Sequence, residues 1–185
     1  MKNTIVLAAL LLSSSSVFAA NAYVGINAGS SSHRLSGGGE TLSESTTGYK
    51  VYGAYKMSGN VGIEGGYVRF GEVSESDGVN TLAIKPSSFY LALTGTMPAD
   101  NNIDVFVKLG VARSETEYSV RTATLRESED RMRTGAMAGI GFQYRFSDAL
   151  SAVGEYEYFA KVGSVDEVGA KLKASLVSIG LRLAF

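Results

Sequence analysis

Nine charged residues are flanked on both sides by apolar or small residues: Lys50, Lys56, Glu64, Asp104, Lys108, Arg145, Glu155, Glu157 and Arg182. Charges in such company either perform acid–base or metal chemistry, or neutralise one another in a confined interior where each needs a partner. The near balance of five cations against four anions points to pairing. The other reactive groups are sparse. His33 is the only histidine and opens a polar stretch with no acid and serine at the spacing of a triad, so it is expected to be solvated. Glu127, Glu129 and Asp130 interleave with Arg126 and Arg131 and lack the ordered spacing of a calcium loop. No catalytic residue, metal site or cofactor is therefore expected, and the chain is not read as an enzyme.

The elements that must position those charges follow from the period of the apolar residues, which recur at every second position and hardly at helical spacing. Val24, Ile26 and Ala28 form one face of a first segment; Tyr49, Val51, Gly53 and Tyr55 of a second; Val61, Ile63, Gly65 and Tyr67 of a third. Five more segments follow in the same way, up to the ending "SIGLRLAF" with Ile179, Leu181, Leu183 and Phe185 on one face. The connections alternate between short turn-forming links, "MSGN", "PADNN" and "SDA", and long polar stretches at roughly residues 30–46, 71–86, 114–132 and 161–171. Eight strands joined by short turns at one end and long loops at the other are expected of an all-β, eight-stranded, antiparallel up-and-down transmembrane barrel.

A lipocalin-like soluble barrel would also alternate, with its aliphatic face inside. The glycine-rich opposite face, roomy enough for long charged chains, and the regular loop asymmetry favour charges inside and lipid outside. Composition agrees. There is no cysteine to staple an exported chain, and a net charge of −1 with a pI near 5.9 argues against a nucleic-acid partner. The start of the chain, Met1-Lys2-Asn3, an apolar run from Ile5 to Leu12 and "SVFAANA", reads as a secretory signal peptide over residues 1–19, leaving the barrel as residues 20–185. Export, an outer-membrane position and contact with its lipid and lipopolysaccharide are expected.

In such a barrel Phe185, Tyr55, Tyr144 and Phe146 would form an aromatic girdle at the periplasmic edge. Arg69 and Arg113 continue the lipid-facing parity just before long loops, where a guanidinium fork suits the phosphates of lipopolysaccharide or simply ends the apolar band.

The stretches "VYGAYKMSGNVGIEGGYVRFGEV" and "LTGTMPADNNIDVFVKLGVAR" resemble the second-to-third and fourth-to-fifth strands of the OmpA-type transmembrane domain. The resemblance is to that domain only, as in the small OmpX/Ail-like or accessory colonisation factor-like barrels. The ending also resembles the C-terminal signal read by the barrel-assembly machinery of Gram-negative bacteria, with Ser178, Gly180, Leu183 and Phe185 in its order. The family's interior salt-bridge gate transfers in part. Glu64 matches the gate glutamate, whereas the partner arginine falls near Val153 or Gly154, the lysine near Thr94 and the second acid near Gln143. The expected interior network is instead centred on Lys108 and draws on Glu64, Glu155, Glu157 and Arg182. The implied function is a surface-display barrel whose four long loops meet host surface molecules, other cells or lipopolysaccharide. A narrow porin-like channel for small solutes is the alternative.

Overall fold

The computed structural model describes residues 21–37, 40–71, 73–76, 81–121, 126–165 and 170–185. The expected signal segment, and the side chains of His33, Arg126, Glu127, Glu129, Asp130 and Arg131, lie outside the described residues. The strands are β1 Ala22–Gly37, β2 Glu40–Ser58, β3 Val61–Arg69, β4 Val73–Ser76, β5 Thr81–Pro98, β6 Ile103–Arg121, β7 Arg126–Arg145, β8 Leu150–Val165 and β9 Ala170–Ala184. Apart from β3 and β4, each pairs antiparallel with its neighbour in sequence; β1 pairs with β9, and both β3 and β4 pair with β5. The sheet is thus closed, and β3 with β4 forms one stave in two pieces, giving an eight-stranded barrel. Within the ring, closure pairs each stave on both sides and removes the edges that a bilayer would leave unsatisfied.

The period-two reading predicts the two faces. Ile26, Val51, Leu91, Leu93, Val107, Leu109, Ile140, Phe142, Ile179 and Leu181 are exposed on the outside, as lipid-facing residues must be. Lys50, Glu64, Asp104, Lys108, Glu155, Glu157 and Arg182 are buried inside. Tyr144 and Phe146 meet edge to face at 5.3 Å on the outer wall, next to the turn that also receives the chain end; Phe185 donates its N–H to Ala22 O at 3.0 Å.

The long polar stretches depart from expectation. They are mostly strand: β1 and β2 pair out to Gly37 and Glu40, and β6 and β7 out to Arg121 and Arg126. Apolar alternation in the sequence stops there, whereas the backbone ladder has no need of it and continues. Beyond the closed ring, β2 leaves β3 at Tyr49 and Arg69, and β7 leaves β8 at Met137 and Phe159. The described wall therefore divides beyond the ring into two four-stranded sheets, β8-β9-β1-β2 and β7-β6-β5-β4.

The break between β3 and β4 has a local cause. Gly71 sits at φ 89°, a backbone region that disfavours other residues, and a Cβ there would run into Thr46 and Thr47. The Thr46 hydroxyl caps Phe70 O. On the opposite strand Pro86 accepts Phe70 N at 3.1 Å, so its missing N–H faces the gap and costs no bond to β6.

Candidate functional site

The lumen is filled in layers, and the middle one carries the charges. The Lys108 ammonium on β6 lies 2.5 Å from Glu64 Oε1 on β3 and 2.6 Å from Glu155 Oε2 on β8, with Glu157 Oε1 at 3.6 Å. Lys50 on β2 reaches the same acids from the other side, at 2.5 Å from Glu155 and 3.0 Å from Glu157. Side chains of both lysines and all three glutamates are almost fully shielded, at 0–1 % exposure. At that depth pairing decides whether they are tolerated, because an unpaired buried ion costs several kcal/mol.

Neutral donors complete the carboxylates. Tyr90 donates to Glu64 Oε1 at 2.7 Å, Tyr23 to Glu64 Oε2 at 3.3 Å, and Asn27 to Glu155 Oε1 at 3.1 Å. Gly66 permits this, since a Cβ at that position would press on the Tyr90 ring and hydroxyl. The Lys50 ammonium also stands 4.5 Å from the centre of the Tyr52 ring, and Lys108 5.1 Å from that of Phe106. Arg182, 3.9 Å from Glu64 and stacked 4.2 Å over Tyr23, brings the layer to three cations against three anions. The glutamate oxygens lie within 4.8 Å of one another, close enough for a cation, but two ammonium groups already fill that role.

Towards the short turns a second polar set surrounds Asp104. Arg145 Nη1 and Gln143 Nε2 both donate to Asp104 Oδ2 at 2.6 Å, and Arg182 Nη1 donates to Gln143 Oε1 at 2.6 Å. In the opposite direction the layer is capped by apolar residues: Val68, Phe70, Ala112, Met137, Phe159, Ala174 and Leu176 are all buried, with Phe70 and Phe159 edge to face at 5.0 Å. Above them Ser88 and Ser114 hydrogen-bond at 2.6 Å.

The structure brings Glu64, Lys108, Glu155, Glu157 and Arg182 together. Thr94, where the resemblance would put a lysine, is the register partner of Lys108 on the neighbouring strand. The reading by sequence left out Lys50, which had been assigned to the inner face without a partner, and the tyrosine and asparagine donors. Lys56, expected inside, is exposed at the mouth, where a bulge between Lys56 and Ser58 ends the alternation. Ser178 faces inward and donates no charge, accepting from Asn27 at 3.2 Å, while Leu183 and Phe185 face out. Arg69 and Arg113 are exposed on the outer wall; Arg113 Nη2 contacts Met132 Sδ at 3.1 Å, and Arg69 is flanked by Tyr49 and Ser87 in register.

Residues 18–185 match the family model described as OmpA-like transmembrane domain. Outer membrane protein A of Serratia marcescens is 23 % identical over 133 residues, covering 71 % of this chain and 37 % of that protein. The chain spans about two fifths of the length of the curated relatives it matches. Among solved structures, Neisserial surface protein A superposes with a TM-score of 0.66 at 16 % identity, covering 89 % of this chain and 97 % of that one. Ail, the attachment invasion locus protein of Yersinia pestis, solved in complex with the heparin analogue sucrose octasulfate, gives a TM-score of 0.56 at 18 % identity over 88 % and 99 % of the two chains. At those identities the structural likeness is one of fold.

Proposed function

The chain belongs to the OmpA-like transmembrane domain family, and on that premise we propose that it is a surface-interaction protein of the outer membrane, serving adhesion, colonisation or envelope integrity. It is an integral outer-membrane β-barrel. The observation that carries the proposal is a contrast along one axis. The lumen is closed by a paired charge layer under an apolar cap, while the strands run on beyond the ring as paired hairpins. A filled bore supports display over transport, and the hairpins offer the surface on which a partner binds.

We assign sulfated glycans of host surfaces as the first partner class to test, by analogy with the heparin analogue held by Ail. Arg69 and Arg113 hold lipopolysaccharide phosphates at the rim in this reading, and Ser178, Gly180, Leu183 and Phe185 are the signal for the barrel-assembly machinery. A channel is the second reading, favoured by buried polar atoms that lack hydrogen-bond partners in the lumen, Glu157 Oε2 and Asn27 Oδ1 among them. Two measurements separate them. Purified barrel in planar bilayers is expected to stay electrically silent, and cells lacking it to lose binding to immobilised heparin. Steady unitary currents together with undiminished heparin binding by the deletion strain would reverse the assignment.

A further inference from the structure

Positive charge collects on the sheet β8-β9-β1-β2 where it runs on beyond the closed ring. The pairing of β1 with β9 sets Arg34 directly opposite Lys173, and Lys171 lies diagonally beyond, opposite Ser36. In an antiparallel pair, directly opposite residues have Cβ atoms about 5 Å apart and diagonal ones about 7–8 Å apart, and like charges in opposition weaken the pairing. All three positions continue the parity of the outward residues Ile26 and Ile179. The positions of that parity beside them carry hydroxyls, Ser32 and Ser36 on β1 and Ser43 and Ser45 on β2. Ser32 and Ser45 stand opposite each other and share a hydrogen bond of 3.3 Å. Glu40 and Glu44 on β2 fall on the other parity, so among the described residues of β1, β2 and β9 no acid holds an outward position beyond the ring. On the second sheet, by contrast, Lys85 stands opposite Glu117, which in turn stands opposite Asp130.

Cations gathered with no acid among them call for a counter-charge from outside the chain, and the surroundings narrow its chemistry. Cations spaced as Arg34, Lys171 and Lys173 are suit a polymer with several anionic groups in a short length better than a single small ion. The neighbouring hydroxyls donate to anionic oxygens, and no aromatic residue stands at the outward positions among them, where a nucleic-acid base would stack. Height excludes the surrounding lipid. Ala28 is level with Tyr49 and Arg69, where the ring opens, and Arg34 lies about 20 Å further along β1, past the head groups that Arg69 meets. We propose that the outward face of the β1–β9 pair, at Arg34, Lys171 and Lys173, is a binding site for a sulfated glycan. The cations meet its sulfate groups, and the serine hydroxyls donate to the sulfate oxygens. This site rests on the reading of sulfated glycans as the partner class and adds where on the barrel they are held.

The test is binding of a heparin hexasaccharide to the folded barrel in phosphatidylcholine nanodiscs, with the desulfated hexasaccharide as control and heat-modifiability as the check that each variant is folded. The sulfated form is expected to bind saturably and the desulfated form not at all. Arg34→Gln, Lys171→Gln and Lys173→Gln combined should weaken binding at least about tenfold and flatten its salt dependence, and Lys173→Gln alone should weaken it about threefold. Lys85→Gln on the second sheet should leave it within about twofold. Undiminished binding by the folded triple variant overturns the site while the sulfated-glycan reading stands. A wild-type barrel that ignores the hexasaccharide overturns that reading itself. Loss of binding on Arg121→Gln with Arg126→Gln instead, the opposed cations at the far ends of β6 and β7, puts the glycan on the other sheet and overturns the site. Displacement of the hexasaccharide by phosphorylated lipid A or by a single-stranded oligonucleotide at lower concentration assigns the patch to phosphates and likewise overturns it.

Discussion

The charge layer and the apolar cap lie next to each other in one lumen and close it by opposite means. In the first, Lys108 and Lys50 bind three glutamates through short contacts, and every member depends on another. In the second, Phe70, Met137, Phe159 and Leu176 exclude water by packing, and each contributes on its own account. The difference teaches where the barrel is fragile. A charge network fails when one member is cut and tolerates the removal of a matched set, whereas an apolar cluster loses stability in proportion to what is removed.

The largest effect is expected from Lys108→Ala, which leaves Glu64 and Glu155 buried without their shared ammonium: destabilisation of about 4 kcal/mol, measured as the shift in urea unfolding of barrels refolded into lipid vesicles. Phe159→Ala should follow at about 3 kcal/mol, from a cavity left beside Phe70 and Tyr90. The comparison breaks if Phe159→Ala costs clearly more than Lys108→Ala. It sharpens if Lys108→Met combined with Glu64→Gln costs much less than the sum of the two single changes, while Phe159→Ala and Leu176→Ala simply add. Smaller still is Tyr90→Phe, which removes one donor to Glu64 and should cost about 1.5 kcal/mol by the same assay. Least in stability is Arg69→Gln with Arg113→Gln, within about 0.5 kcal/mol, yet it should reduce lipopolysaccharide co-purifying with the barrel at low salt and do little at high salt. Equal lipopolysaccharide on mutant and wild type at low salt would reduce the two arginines to markers of the band's upper limit.

Alternation made the strands and both faces legible, because lipid demands an apolar residue at every outward position of the ring. It also puts the acids and Lys108 on the inner face, where they are buried, since parity alone decides inside from outside. Height along the bore is another matter. It depends on how far each strand is staggered against its neighbours, and parity carries no trace of stagger, so Lys50 stood on the inner face without a partner. The cap could have been found by carrying parity past the last lipid-facing residue: Phe70 keeps the phase of Val68, and Phe159 that of Glu157. The hairpins read as loops in the sequence because their strands carry no apolar alternation, which a backbone ladder does not need.

The seam between β1 and β9 joins the first strand to the last, with Tyr23 opposite Ala184 and Phe185 bonded to Ala22. Such a contact is the most non-local the topology allows, and the entropy of bringing its partners together is spent before any of its hydrogen bonds form. Until the final strand arrives, β1 and β8 are both open edges in a medium that offers their backbones no substitute. A nascent barrel of this kind has no stable half-way state inside lipid, so ribosomal or periplasmic truncation by a single strand should yield material that is cleared by proteases instead of a weaker barrel. The circular connectivity thus makes the last strand the one on which every other strand of the ring depends for closure.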